Sequence, residues 1–208
     1  MKKIIASAVV AAATLSASQA AVFNGYSAGL TAGSLTSKNI EKSGDSKEKM
    51  NKTFGTYGVH FDYDRSAANA FYWGLGLDFM FFSGKKAKTF DDVKSTAKYS
   101  WSSELDARFG YNFCNNAAAF GLAGIRLYRK EFKAFDVEEN KALFKSDKTR
   151  FAPVIGAGVK AKVTNNVSLS AEYRYAFERK ETHNYPEASK AKYKQNSHAV
   201  LAKASYHF

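Results

Sequence analysis

One cysteine and two prolines are all that 208 residues contain. The single thiol, Cys114, excludes an intrachain disulfide and a multi-cysteine zinc site. Proline scarcity beside 17 Phe, 12 Tyr and 14 Gly favours strands over helices. Long hydrophobic runs are missing too. The longest, residues 4–15 (IIASAVVAAATL), falls short of the roughly 20 residues a membrane-spanning helix needs. The mean hydropathy is negative, which excludes a protein of several helical spans. At 45% apolar and 24% charged, the chain is neither disordered nor collagen-like.

The N-terminus reads as an export signal. Lys2 and Lys3 precede the apolar run, and Ser18-Gln19-Ala20 is a small-x-small cleavage site. We expect residues 1–20 to be a signal peptide and residues 21–208 to form one domain. The formal charge of +12 falls to +10 without the two signal lysines. In an exported protein that excess points to lipopolysaccharide, anionic lipid or acidic glycans rather than nucleic acid.

The strongest signal is alternation. From residue 97 to 113 the odd positions carry Tyr99, Trp101, Leu105, Ala107, Phe109, Tyr111 and Phe113, whereas the even ones carry Lys98, Glu104, Asp106 and Arg108. A period of two over this length is a strand with one apolar and one polar face. The pattern recurs around residues 22–32, 57–63, 71–81, 151–163, 167–177 and 200–208. Residues 119–128 (AFGLAGIRLY) are apolar on both parities. Arg126 should avoid lipid, which puts Ala119, Gly121, Ala123, Ile125 and Leu127 outward, unless a bulge near Gly124 reverses half of them. Eight strands result. Short polar turns are expected near 65–69, 114–116 and 164–166, and long charged loops near 36–52, 83–96, 129–148 and 179–192. This layout predicts an all-β fold, an eight-stranded antiparallel up-and-down transmembrane β-barrel in a bacterial outer membrane, with both termini periplasmic.

A soluble barrel would invert the same pattern, and two features oppose it. The polar faces carry opposite charges at i, i+2 spacing, which a narrow lumen can pair. The apolar faces are aromatic toward the strand ends (Tyr57, Tyr63, Phe71, Trp73, Phe79, Phe81, Tyr111, Phe113), as interfacial girdles are. The inward set comprises Asp62, Asp78, Glu104, Asp106, Arg108, Arg126, Arg150, Lys160, Glu172 and Arg174. It reads either as a plug of ion pairs or as a narrow ion path, and small barrels are usually filled. His60, His183, His198 and His207 are dispersed without metal-site spacing, and His60 and His207 should face the lumen. We expect no cofactor and no metal. The sequence presents no Ser–His pair suited to nucleophilic catalysis, so no enzyme is expected. Lys85, Lys86, Lys88, Lys190 and Lys192 crowd two of the loops, where they would meet lipopolysaccharide phosphate or host and environmental polyanions.

The chain resembles the small porin-like outer-membrane β-barrel proteins, the group that includes opacity-type and surface-antigen barrels. The segments that carry the resemblance are SELDARFGYNF (103–113), AGIRLY (123–128), IGAGVKAKVTNNVSLSAEYRYAF (155–177) and the final strand ending Tyr206-His207-Phe208. The resemblance implies that Tyr206 and Phe208 form the signal read by the barrel assembly machinery. It implies a structural or surface-interaction role, with four charged extracellular loops displayed over a plugged polar lumen. A narrow, low-conductance porin for ions or small solutes is the alternative.

Overall fold

The computed structural model describes residues 23–43, 46–66, 71–83, 86–90, 93–114, 116–136, 142–178, 181–185 and 188–208. Side chains are described for 23–38, 51, 53–66, 71–83, 100–113, 116–129, 149–178 and 196–208. The expected signal peptide and Lys85 lie outside the described residues.

Ten strands follow one another: β1 (Asn24–Ser43), β2 (Ser46–Ser66), β3 (Phe71–Ser83), β4 (Lys86–Phe90), β5 (Val93–Cys114), β6 (Ala117–Asp136), β7 (Ala142–Lys162), β8 (Val167–Phe177), β9 (Glu181–Tyr185) and β10 (Ala188–His207). All pairings are antiparallel. β4 prolongs the pairing of β3 along β5, and β9 prolongs that of β8 along β10. The walls are therefore eight, and β1 pairs with β10 to close them into a barrel. Closure leaves the eight walls without an open edge inside the barrel, and beyond it β4 and β9 are paired on one side only.

The register fixes the stagger. Stepping across partners from Ser27 leads through Asp62, Gly76, Asp106, Gly124, Val154, Ala176 and Ser197 to Ser37. The path returns to β1 ten residues beyond its start. A stagger of this kind requires tilted strands and leaves an interior that side chains can fill.

Inward and outward faces follow the alternation. Leu30, Leu105, Phe109 and Phe151 are between 62% and 71% exposed on the outer wall. Exposed apolar surface on that scale belongs in hydrocarbon, not in water. Residues 119, 121, 123 and 125 face outward and 118, 120, 122, 126 and 128 are buried, with no bulge at Gly124. Aromatic rings gather toward the two ends of the wall. Tyr26, Tyr63 and Trp73 are in contact near the short turns, at 4.9 and 5.7 Å between centroids. Tyr57 and Phe81 meet at 6.0 Å toward the other end.

The four segments expected as long loops are mostly strand. Residues 36–43 stay paired with 46–53, 86–90 pair with 93–97, and β6 and β7 remain paired out to Phe135 and Ala142. Backbone pairing beyond a bilayer needs no apolar face, so charged sequence there carries no alternation signal. Two of the short turns stand where the sequence puts them: Asn116 lies between β5 and β6, and residues 163–166 bend between β7 and β8; of the third, Arg65 and Ser66 still belong to β2 and 67–69 lie outside the described residues.

Candidate functional site

The interior of the barrel holds the protein's densest chemistry. Alternation sends Asp62 and Asp64 inward from β2, Asp78 from β3, Glu104, Asp106 and Arg108 from β5, and Arg126 from β6. Lys160 enters from β7, Glu172 and Arg174 from β8, and Lys203 from β10. None of these eleven side chains is more than 3% exposed.

They form one connected set. Arg174 ion-pairs with Glu104 at 2.7 Å, Asp78 at 2.9 Å and Asp106 at 3.3 Å, and also with its strand neighbour Glu172. Arg108 binds Asp62 through Nη1 at 2.9 Å and Asp106 through Nε at 2.7 Å, so Asp106 links the two guanidiniums. Arg126 Nε lies 2.7 Å from Glu104. Lys203 lies 2.7 Å from Asp78, and Lys160 lies 2.5 Å from Asp64. Tyr72 donates its hydroxyl to Asp64 at 2.5 Å. Buried ions survive only where partners replace water, and forked arginines can do this for several carboxylates at once. Six carboxylates face five cations.

Space for this layer is made by glycine. A Cβ on Gly76 would collide with the Arg108 guanidinium, and one on Gly158 would come within 3.0 Å of Glu172 and 2.7 Å of Phe120.

Apolar side chains lie on both sides of the ionic layer. At the short-turn end Phe23 packs on Tyr72 at 5.8 Å, and Tyr72 packs on Phe120 at 5.7 Å. The Lys160 ammonium sits 5.4 Å from the Phe23 ring. Gly25, with φ of 103°, carries the chain from this inward Phe23 onto the wall, a backbone conformation that glycine accepts readily. Toward the long hairpins Leu35, Phe54, Met80 and Phe82 are buried.

Asp62, Asp78, Glu104, Asp106, Arg108, Arg126, Lys160, Glu172 and Arg174, the charges that alternation points inward, all come together in the fold. Arg150 is half-buried and in register with Tyr128. Asp64, Lys203, Tyr72 and Phe23 join them unexpectedly, although Asp64 and Lys203 share the inward parity of their strands. Inward apolar residues carry no charge signal at all.

Both lumen-facing histidines have serine partners that sequence spacing does not reveal. His60 Nε2 lies 2.8 Å from Ser205 Oγ, and its Nδ1 lies 3.0 Å from Thr31 Oγ1. His207 Nε2 lies 2.8 Å from Ser168 Oγ. Both histidines are buried, at 3% and 4% exposed.

Tyr206 and Phe208 face outward, 52% and 77% exposed, with rings 5.6 Å apart, and the Phe208 N–H donates to Tyr26 O at 3.1 Å. Lys86 and Lys88 fall on β4 and Lys190 and Lys192 at the start of β10, and of these four residues only the backbone is described.

Comparison with known proteins agrees with this architecture. Residues 5–208 match the family model described as outer membrane protein beta-barrel domain. A 22 kDa outer membrane protein of Rhizobium leguminosarum bv. viciae is 36% identical over 88 residues, 41% of this chain and 38% of that protein. A 31 kDa outer-membrane immunogenic protein of Brucella melitensis biotype 1 is 31% identical over 84 residues, 39% of this chain and 35% of that protein. The alignments thus span under two fifths of these curated relatives. The crystal structure of the outer membrane protein OprG from Pseudomonas aeruginosa superposes with a TM-score of 0.56 at 15% identity, covering 90% of this chain and 98% of that one. The closed eight-walled barrel, its apolar exterior and a family match over nearly the whole chain lead to one conclusion: this chain belongs to the outer membrane protein β-barrel domain family.

Proposed function

We propose that the protein is a sealed outer-membrane scaffold whose work is done at its surface, not a conduit and not an enzyme. The carrying observation is the ionic layer: eleven charged side chains, none above 3% exposed, held between apolar residues. A lumen filled in this way offers ions no continuous water. The Ser–His pairs are shut in by the same packing, so no substrate reaches them.

In this reading residues 1–20 are the export signal, both termini lie in the periplasm, and the long charged hairpins project outside the cell. Lys85, Lys86, Lys88, Lys190 and Lys192 give two of those hairpins cationic character suited to lipopolysaccharide phosphate and host or environmental polyanions. Tyr206 and Phe208 end the outward apolar set of β10 and serve as the assembly signal.

Orientation is tested by accessibility. An epitope inserted within residues 137–141 should bind antibody on intact cells, and one inserted at residue 165 should bind only after the outer membrane is permeabilised. The opposite pattern would turn the barrel over. Planar-bilayer recording tests the sealed lumen, and stable openings would promote the narrow-porin alternative.

A further inference from the structure

Charge is sorted across the barrel wall. Every Asp and Glu whose side chain is described is buried, whereas the charged side chains described as exposed are the cations Lys38, Arg65 and Arg129. One of these cations belongs to a polar ledge on the outer wall. At the long-hairpin end the ladders set Thr36 beside both His198 and Thr53, and His198 beside Tyr175. The Thr36 and Thr53 hydroxyls are 2.9 Å apart. The Tyr173 hydroxyl lies 2.5 Å from His198 Nδ1, and the Tyr175 ring meets the imidazole edge-on at 5.0 Å. Lys38 stands two residues beyond Thr36 on the same face and is exposed.

This ledge contributes nothing to filling the lumen, because its side chains point away from it. It begins beyond the apolar wall of Val200, Ala202 and Ala32, a level we assign to the headgroups. With the Tyr173 hydroxyl donating to Nδ1, His198 keeps its proton on Nε2 as a donor. An ammonium, an imidazole N–H and the one threonine O–H not spent between Thr36 and Thr53 then lie on the same stretch of the outer face. Donors of this kind with no carboxylate among them suit an anion with several acceptor oxygens. We propose that the ledge of Lys38, His198, Thr36 and Thr53 binds the phosphate of a phosphorylated glycolipid headgroup in the outer leaflet. The leaflet assignment rests on the outward orientation of the long hairpins proposed above; the phosphate site itself does not.

The test uses the full-length mature barrel refolded in detergent, with bis-phosphorylated lipid A and its dephosphorylated form as probes. Native mass spectrometry reads retained lipid. Wild type should retain the phosphorylated form at least tenfold better than the dephosphorylated one. The Lys38→Gln/His198→Gln variant should lose that preference, and Arg65→Gln, at the opposite rim, should keep it. Heat-modifiable gel mobility shows which variants have folded, and Thr36→Val/Thr53→Val provides a second variant with the charges intact, expected to weaken the preference in part. Equal retention of the two lipids by wild type, an unchanged preference in both ledge variants, or an equal loss in Arg65→Gln would overturn the proposal. Because the assay is done in detergent, an upside-down barrel would fail the epitope test and still pass this one.

Discussion

Arg174 and Glu104 meet at 2.7 Å although β8 and β5 are separated in the wall by β6 and β7. The contact therefore spans the lumen instead of running along the wall. It shows that the barrel is narrow enough for side chains from non-adjacent strands to touch, and it makes Arg174 the hub of the interior.

Removing that hub should be costly. Arg174→Ala leaves Asp78, Glu104, Asp106 and Glu172 each short of a partner in a site closed to water. Breaking buried pairs of this kind costs about 3–5 kcal/mol. Urea unfolding of the refolded barrel should show a loss of that order, and a loss below about 1 kcal/mol would mean that water reaches these acids.

Gly76→Ala should reproduce part of the defect without touching a charge. The new methyl would displace the Arg108 guanidinium from Asp62 and Asp106. Overpacking of this type costs about 1–3 kcal/mol. The same urea titration checks it, and combining Gly76→Ala with Arg108→Ala should give less than the sum of the two single losses.

The faces of the wall can be told apart by a single charge. Leu105 and Leu169 are exposed on the outer wall at 62% and 49%. Arginine at either should cost about 2–4 kcal/mol near the bilayer midplane. Ser170, on the inward parity of β8 and only half-buried, should accept the change at lower cost. Folding yields into bilayers measure the difference, and equal costs would mean that the apolar face does not meet lipid.

Deleting Phe208 should separate assembly from folding. The residue is 77% exposed and lies beyond the end of β10, so folding in detergent should change little. Outer-membrane levels in cells should fall severalfold by immunoblot. Normal levels would remove the reading of Tyr206 and Phe208 as an assembly signal.

The walls of this barrel are legible in the sequence because each has to satisfy lipid on one side and a polar lumen on the other. Leu105 beside Glu104 and Asp106 is enough to assign a face. Which charges meet is not legible. Lys160 and Asp64 are 96 residues apart, and Arg174 and Glu104 are 70. Their contact depends on strand number and stagger, which no local pattern encodes. The paired hairpins were hidden for a different reason: outside the bilayer neither face must be apolar, so residues 36–43 read as a charged loop. Phe23, Tyr72 and Phe120 were hidden because an apolar residue facing inward imitates one facing lipid. His60 finds Ser205 only when β1, standing between β2 and β10, closes the ring.

Current through single barrels in a planar bilayer reports whether the interior is sealed. Wild-type protein should show no stable openings. Arg174→Ala should open the barrel intermittently and favour cations, since the ionic layer would then hold six carboxylates against four cations. Large, steady channels from the wild-type barrel would contradict the account.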